Sequence, residues 1–209
     1  MSSHFAKRGF DVLVACLGLL ISTPVLAACA IAIKLDSAGP VFFRQTRVGR
    51  HGRPFQILKL RSMTNPSGKH GPKLTVSGDP RITRVGRWLR AAKLDELPQL
   101  YNVLHGEMSL VGPRPEVPEY VANYTSRQKQ ILNFKPGITG PASIDCIREE
   151  ALLSAVEDPE MFYRQHLLPR KLELDLHYCN RADLVSDLQL LAMTLLRVGF
   201  PTKRSCTRS

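Results

Sequence analysis

The sequence predicts an α/β fold that is mostly helical, with an N-terminal re-entrant membrane helix followed by a membrane-associated domain. That domain should hold a small antiparallel β-hairpin and several amphipathic helices. Three observations predict it. Val12 to Ile33 runs for 22 residues without a charge. Two short β-type runs flank Gly49-Arg50-His51-Gly52. Beyond them, apolar residues recur mostly at helical spacing between proline and glycine breaks.

As one straight helix the apolar run would extend about 33 Å, enough to cross a bilayer core. It is too long for the h-region of a cleaved signal peptide, which covers roughly 7 to 15 residues. Two features argue against a simple crossing. Lys7 and Arg8 precede the run, while Lys34, Arg44, Arg47, Arg50 and Arg53 follow it, so both flanks prefer the cytoplasmic side. Ser22-Thr23-Pro24 sits at its middle. Pro24 cannot donate to the Leu20 carbonyl and should kink the helix there, with the Ser22 and Thr23 hydroxyls serving the freed carbonyls. A helix that enters and returns to one face fits both features, with Asp11 near the entry and positioned to pair with Arg8. A single crossing with a tolerated proline is the alternative.

The chain has 29 Lys and Arg against 18 Asp and Glu, a net charge of +11. Such a charge favours nucleic acid, phosphorylated substrates or an anionic membrane face, and does not choose among them. The five cysteines are scattered, with no CxxC or HExxH spacing, which argues against a structural zinc site and for reduced thiols.

After Lys34, strands are expected at Val41–Gln45 and Pro54–Leu60. Residues 65–79 are rich in Gly, Pro, Ser and Lys and read as a mobile loop. An arginine-rich amphipathic helix should follow over residues 81–92, a second over Leu94–Leu104 and a third within Glu116–Leu132. Pro136–Gly140 reads as a turn. Glu149–Val156, Pro159–Leu176 and Asp183–Val198 read as helices, the last of them apolar enough to pack on the core or lie at an interface.

The densest chemical signal is Leu94 to Glu116, LDELPQLYNVLHGEMSLVGPRPE. Asp95 suits an N-cap, Glu96 falls in the first turn, and Pro98 lies early enough to sacrifice no helix bond. The free N–H groups and dipole of such a helix end are expected to lower both carboxyl pKa values and could hold a phosphate. An Asp-Glu pair in this place more often simply caps a helix. Near it in sequence lie Lys59, Arg61, Arg81, Arg84, Arg87, Arg90 and Arg114. The guanidinium fork suits phosphate oxygens, and Pro113 and Pro115 stiffen the backbone around Arg114.

In these and further stretches the chain resembles the bacterial sugar transferase family, the monotopic phosphoglycosyl transferases. The matching stretches are Phe5-Ala6-Lys7-Arg8 with Asp11, Thr23-Pro24, Val41–Gln45, Lys59–Met63, Asp79–Thr83, Leu94–Leu100, Met108–Pro115 and Lys135–Gly140. They run in order over most of residues 5 to 140. The resemblance implies transfer of a sugar 1-phosphate from a UDP-sugar to a polyprenol phosphate such as undecaprenyl phosphate, with release of UMP. It implies Asp95 as nucleophile, passing through a sugar-phosphoryl aspartate, and Glu96 as general base or proton relay. Asp95 would also help hold Mg²⁺. Lys59, Arg90 and Arg114 become the expected phosphate clamps, with Pro113 and Pro115 beside the substrate. Lys7, Arg8, Asp11, Thr23 and Pro24 become the expected features of a re-entrant anchor in the bacterial inner membrane, its catalytic domain facing the cytoplasm.

Two departures from the family pattern stand out. Thr23 replaces the serine that commonly precedes the proline, which keeps a hydroxyl. After Gly140 the chain reads PASIDCIREEALL rather than a Gln-Val-Asn-Gly-Arg-like stretch, which leaves the sugar open. The expected organisation is a membrane helix over 1–35, a transferase domain over 36–201 and a disordered tail over 202–209. Partners would be the UDP-sugar, the polyprenol phosphate and membrane lipids, with a homodimer among the assemblies left open. The alternative is a membrane-tethered basic nucleic-acid-binding protein, for which no finger, RNP-like or helix-turn-helix signature is present.

Overall fold

The computed structural model describes residues 2–64, 74–146 and 149–199. Most of the expected loop over 65–79 and all of the tail over 202–209 lie outside the described residues.

Helix α1 spans Ser2–Asp36 and is unbroken through Pro24. The Thr23 hydroxyl donates to the Leu19 carbonyl at 2.7 Å, and Ser22 to the same oxygen at 3.3 Å. Both therefore serve Leu19, one residue before the carbonyl that proline deprives of its bond. Asp11, Ala15, Gly18, Ser22, Leu26, Cys29 and Ile33 are buried or half-buried, in steps of three and four residues. That stripe lies along the rest of the molecule. The opposite face exposes Leu13, Leu17, Leu20, Ile21 and Ile31.

Both ends of α1 are fastened to one body. Near the start, Arg8 donates to the carbonyls of Val103 and Leu104 at 2.6 and 3.0 Å, the Asp11 carboxylate accepts from the Leu110 amide, and Lys7 pairs with Asp187. Arg8 and Asp11 thus bind other elements, and the expected pair between them does not form. At the far end, Asp36 accepts from the Val85 amide at 3.1 Å, and Arg61 donates to the Ser37 carbonyl at 2.7 Å.

The hairpin forms as expected. β1 (Phe42–Val48) pairs antiparallel with β2 (Pro54–Leu60) about a tight turn, where His51 and Gly52 adopt positive φ. β1 extends three residues beyond the expected strand. α2 (Arg84–Ala91) starts from Thr83, whose hydroxyl accepts from the Gly86 amide at 2.8 Å. α3 (Gln99–His105) follows, and its Asn102 side chain bonds both the amide of Leu58 and the carbonyl of Gln56. This amide stands in for a third strand on the free edge of β2 and fixes where Lys59 points.

Three expectations are corrected. Pro136–Gly140 is not merely a turn: Gly137–Thr139 forms β4, parallel to β3 (Ser109–Val111). The two backbones approach so closely at Gly112 and Gly137 that a Cβ on Gly137 would stand 2.1 Å from the Gly112 nitrogen. The helix expected within Glu116–Leu132 is broken into α4 (Pro118–Val121) and a 3-10 turn over Gln128–Asn133. Thr125 and Gln128 exchange side-chain bonds with each other's amides, a reciprocal cap that restarts the chain in a new direction. The helix expected over Pro159–Leu176 passes from α7 (Pro159–Phe162) through a π-type turn into α8 (Leu168–Cys179). Pro169 has no N–H to continue the ladder, and Leu168 bonds back five residues to Tyr163.

α5 (Pro141–Asp145), α6 (Glu149–Leu153) and α9 (Leu184–Gly199) complete the described helices. α9 buries Leu190 against the core and exposes Val185, Leu188, Leu195 and Leu196. Cys16, Cys29 and Cys179 are free thiols.

Candidate functional site

A cavity of about 540 Å³ opens between β2, α2, the Arg114 loop, α6, α8 and α9. Asp95, Glu96, Lys59, Arg90 and Arg114 all line it, so the structure gathers five of the residues singled out in the sequence.

Asp95 is not the N-cap of α3. It lies in a 3-10 turn, Leu94–Glu96, and the cap position of α3 is Pro98. Because Pro98 has no N–H, the Leu94 carbonyl cannot receive the bond of an α-helix and takes the Leu97 amide instead, at 3.2 Å. The chain tightens into a turn of three residues, with adjacent side chains about 120° apart. Lys93, just before it, is held in the left-handed region at φ 57°.

The two carboxylates sit in different surroundings. Asp95 is 6% exposed and receives no hydrogen bond from the described residues. Burial pushes its carboxyl above the ordinary aspartate range, with Lys59 as the leading opposing charge. This reverses the expected lowering by a helix end. Glu96 takes a 2.7 Å bond from Lys59 Nζ, with Arg114 Nη2 3.7 Å from the same oxygen. Burial alone would raise Glu96, but Lys59 and then Arg114 outweigh it and hold it well below the usual glutamate range. One carboxyl is therefore biased towards its proton and the other against it.

Arg90 pairs with Glu150 through Nη2, and its Nε–H is buried with no acceptor among the described residues. Arg61 and Arg81 have other duties: Arg61 closes the end of α1, and Arg81 bonds Asp79 at 2.9 Å. Arg84 and Arg87 are exposed on α2. Pro113 and Pro115, expected beside the substrate, do not line the cavity. They act through their carbonyls, which accept from the Gly137 amide at 2.9 Å and from Arg47 at 3.0 Å, so they hold the Arg114 loop from behind. Asp175 completes that support by accepting from the Arg114 amide at 3.2 Å.

A second polar cluster lines the rear of the cavity and was missed in the sequence. Tyr163 donates to Glu116 at 2.7 Å, and Lys171 bonds Tyr163 at 3.1 Å and Glu149 at 2.9 Å. Arg47 stands 3.6 Å from Glu116. A signal existed: Lys171 and Asp175 fall on the same face of α8 as Leu168, Leu172 and Leu176, and charges on an apolar face are buried only with partners. Among the described residues no group of three or more His, Cys, Asp or Glu converges as a metal cage.

Residues 2–200 match the family described as bacterial sugar transferase. The chain is 42% identical over 202 residues to the UDP-glucose:undecaprenyl-phosphate glucose-1-phosphate transferase of Caulobacter vibrioides, covering 90% of this chain and 68% of that one. It is 42% identical over 205 residues to the undecaprenyl-phosphate glucose phosphotransferase of Komagataeibacter xylinus, covering 93% and 36%. It is 44% identical over 144 residues to the UDP-N-acetylgalactosamine-undecaprenyl-phosphate N-acetylgalactosaminephosphotransferase of Aeromonas hydrophila, covering 67% and 34%. The chain thus spans from 34% to 68% of these relatives' length. Their names give no support to a nucleic-acid-binding role.

Proposed function

Because the chain belongs to the bacterial sugar transferase family, we propose that it transfers a sugar 1-phosphate from a UDP-sugar to a polyprenol phosphate, releasing UMP. The observation that carries this reading is the buried Asp95 carboxylate, which has no hydrogen-bond partner among the described residues and lines a cavity that Lys59, Arg90 and Arg114 also line. The names of the relatives supply the donor and acceptor classes. They differ in the sugar, so the donor's sugar is left open.

In this reading an Asp95 oxygen attacks the β-phosphorus, the bond to the UMP oxygen breaks, and a sugar-phosphoryl aspartate forms. An oxygen of the polyprenol phosphate then attacks the same phosphorus and frees Asp95, giving a polyprenol diphosphate sugar. Glu96 is ionised in the empty site and relays the proton of the incoming phosphate once the diphosphate has drawn Lys59 and Arg114 to itself and restored the carboxylate's basicity. The three cations take up the negative charge of the diphosphate. Asp95 is the residue to hold Mg²⁺, which would neutralise phosphate charge. An ion that takes most of its ligands from phosphate and water needs one or two carboxylates and no full cage.

The same reading places α1 in the membrane as a re-entrant, monotopic anchor with the cavity on the cytoplasmic side, at the first membrane step of a surface glycan or glycoprotein pathway. Its support is that both ends of α1 bind one body while the outer faces of α1 and α9 are apolar. The positive net charge suits an anionic leaflet.

The test is to incubate the full chain, in lipid nanodiscs with undecaprenyl phosphate, with a panel of UDP-sugars. UMP release with one donor is expected, and the donor alone should add a sugar phosphate to Asp95 by intact mass. Absence of UMP from every donor would overturn the reading. Periplasmic labelling of a cysteine placed at the N-terminus would overturn re-entry.

A further inference from the structure

Arg90 differs from the other two cations assigned to the donor's phosphates. Lys59 and Arg114 face Glu96, itself part of the proposed chemistry. Arg90 instead faces Glu150, a residue of α6 to which that chemistry gives no role. The contact is incomplete, since Glu150 engages Nη2 while the neighbouring Nε–H is buried with no acceptor among the described residues. A phosphate group can take both donors at once, because the side of a guanidinium presents Nε–H and Nη2–H as a parallel fork.

Glu150 is also built to let go. Its side chain is 44% exposed, so solvent can take the carboxylate when it swings away. Its helix stays in place meanwhile: Glu149 is held by Lys171 at 2.9 Å, Leu153 is 1% exposed in the core, and the Ser77 amide donates to the Glu150 carbonyl at 3.1 Å. Only one side chain has to rotate.

We propose that Glu150 is a built-in stand-in for the donor's phosphate: it occupies Arg90 in the empty site and is displaced by the diphosphate of the incoming nucleotide sugar. This rests on the donor class proposed above. Glu150 then acts as a specificity-determining residue, because a ligand must outbid a carboxylate before it gains Arg90. A diphosphate, which can fill both donors of the fork, is favoured over weaker or singly charged anions. When UMP leaves, Glu150 returns to Arg90 and competes against rebinding.

The test measures binding of UDP with Mg²⁺ to the full chain in nanodiscs by titration calorimetry, for the wild type, Glu150→Gln and Glu173→Gln. Glu150→Gln keeps the shape and loses the charge, and should bind UDP about two- to fivefold tighter, since the competent state no longer competes with an internal ion pair of ordinary strength. The KM for the active UDP-sugar should fall by a similar factor while kcat is retained. Glu173 pairs with Arg127 on the open surface, so Glu173→Gln removes the same charge and should leave the affinity unchanged. If wild type binds UDP and Glu150→Gln binds it no tighter, the stand-in role is overturned and the donor reading survives. Equal tightening in Glu173→Gln overturns it too, by assigning the effect to overall charge. Failure of the wild type to bind UDP overturns the donor reading, and this inference with it.

Discussion

The front and the rear of the cavity are built from the same ingredients and balanced differently. At the rear, Glu116 and Glu149 are matched by Arg47 and Lys171, with Tyr163 bridging at hydrogen-bond distance. At the front, Lys59 and Arg114 both converge on Glu96, and Asp95 beside it has no hydrogen-bond partner among the described residues. Buried charges are tolerated when each has its counterpart, and costly otherwise. The rear therefore reads as a device that holds α8 and α6 to the Arg114 loop, and the front as one that leaves a carboxylate free to react.

Substitutions should separate the two. Asp95→Asn should cut transfer by on the order of 10⁴-fold, as loss of a covalent nucleophile does. It should not lower the melting temperature. A carboxyl whose pKa is raised by folding opposes the fold once it is ionised, so the amide removes a strain at neutral pH. Lys171→Met should show the reverse pattern, losing about 3 to 5 kcal/mol in urea unfolding because Glu116 and Glu149 are left buried without it. The enzyme that still folds should keep most of its UMP release. Comparable loss of both properties in both variants would erase the distinction.

Asp175, behind the Arg114 loop, allows a test by pH. Burial pushes its carboxyl up to about 6, against the bonds from the Ala142 and Arg114 amides. Its stabilising contribution is therefore complete below the unfolded value near 3.8 and is lost as pH rises through about 6. That difference corresponds to about 3 kcal/mol, visible as a fall in unfolding free energy that Asp175→Asn should flatten. Glu96→Gln should lower kcat by on the order of 10²-fold, typical of losing a general base, and should also lower stability at neutral pH, because it removes the carboxylate that Lys59 and Arg114 hold ionised in the fold. The gentlest probe is the acid limb of kcat/KM. Asp95 must be ionised to attack and burial raises its carboxyl in the metal-free protein, so the limb should move to lower pH as Mg²⁺, which favours the ionised form, is raised. Lys59→Met, which removes the leading charge favouring that ionised form, should move the limb to higher pH.

Much of this architecture was legible in the sequence where one short segment determines its own structure. The hairpin followed from strand-forming runs around a glycine-flanked turn, and α1 from an uninterrupted apolar stretch. Legibility failed where distant residues decide. β3 and β4 are three residues each and have no alternation to read; they exist because Gly112 and Gly137 let two backbones meet. The exchange of bonds between Thr125 and Gln128 ended a helix that apolar spacing alone would have carried on. At the site, Asp95 and Glu96 line one cavity, and Asp95 is not the helix cap expected of it. Pro98 decided the local geometry, and burial, invisible in a string of letters, decided the pKa of Asp95. The roles assigned to these residues came from the family likeness and not from their spacing.

The stripe on α1 has a consequence for which changes in length the chain can tolerate. From Asp11 to Ile33 the helix keeps one rotational phase against the body it lies on. Inserting a single residue near Leu20 would turn everything downstream by about 100°, swinging Cys29 and Ile33 to the outside and pulling Asp36 from the Val85 amide. Only blocks of about seven or eleven residues would restore the phase. A block that restores it still shifts the far end along the axis by about 10 Å or more, away from the groups that fasten it. The apolar letters on the outer face of this helix can be exchanged for one another, whereas its length cannot be changed.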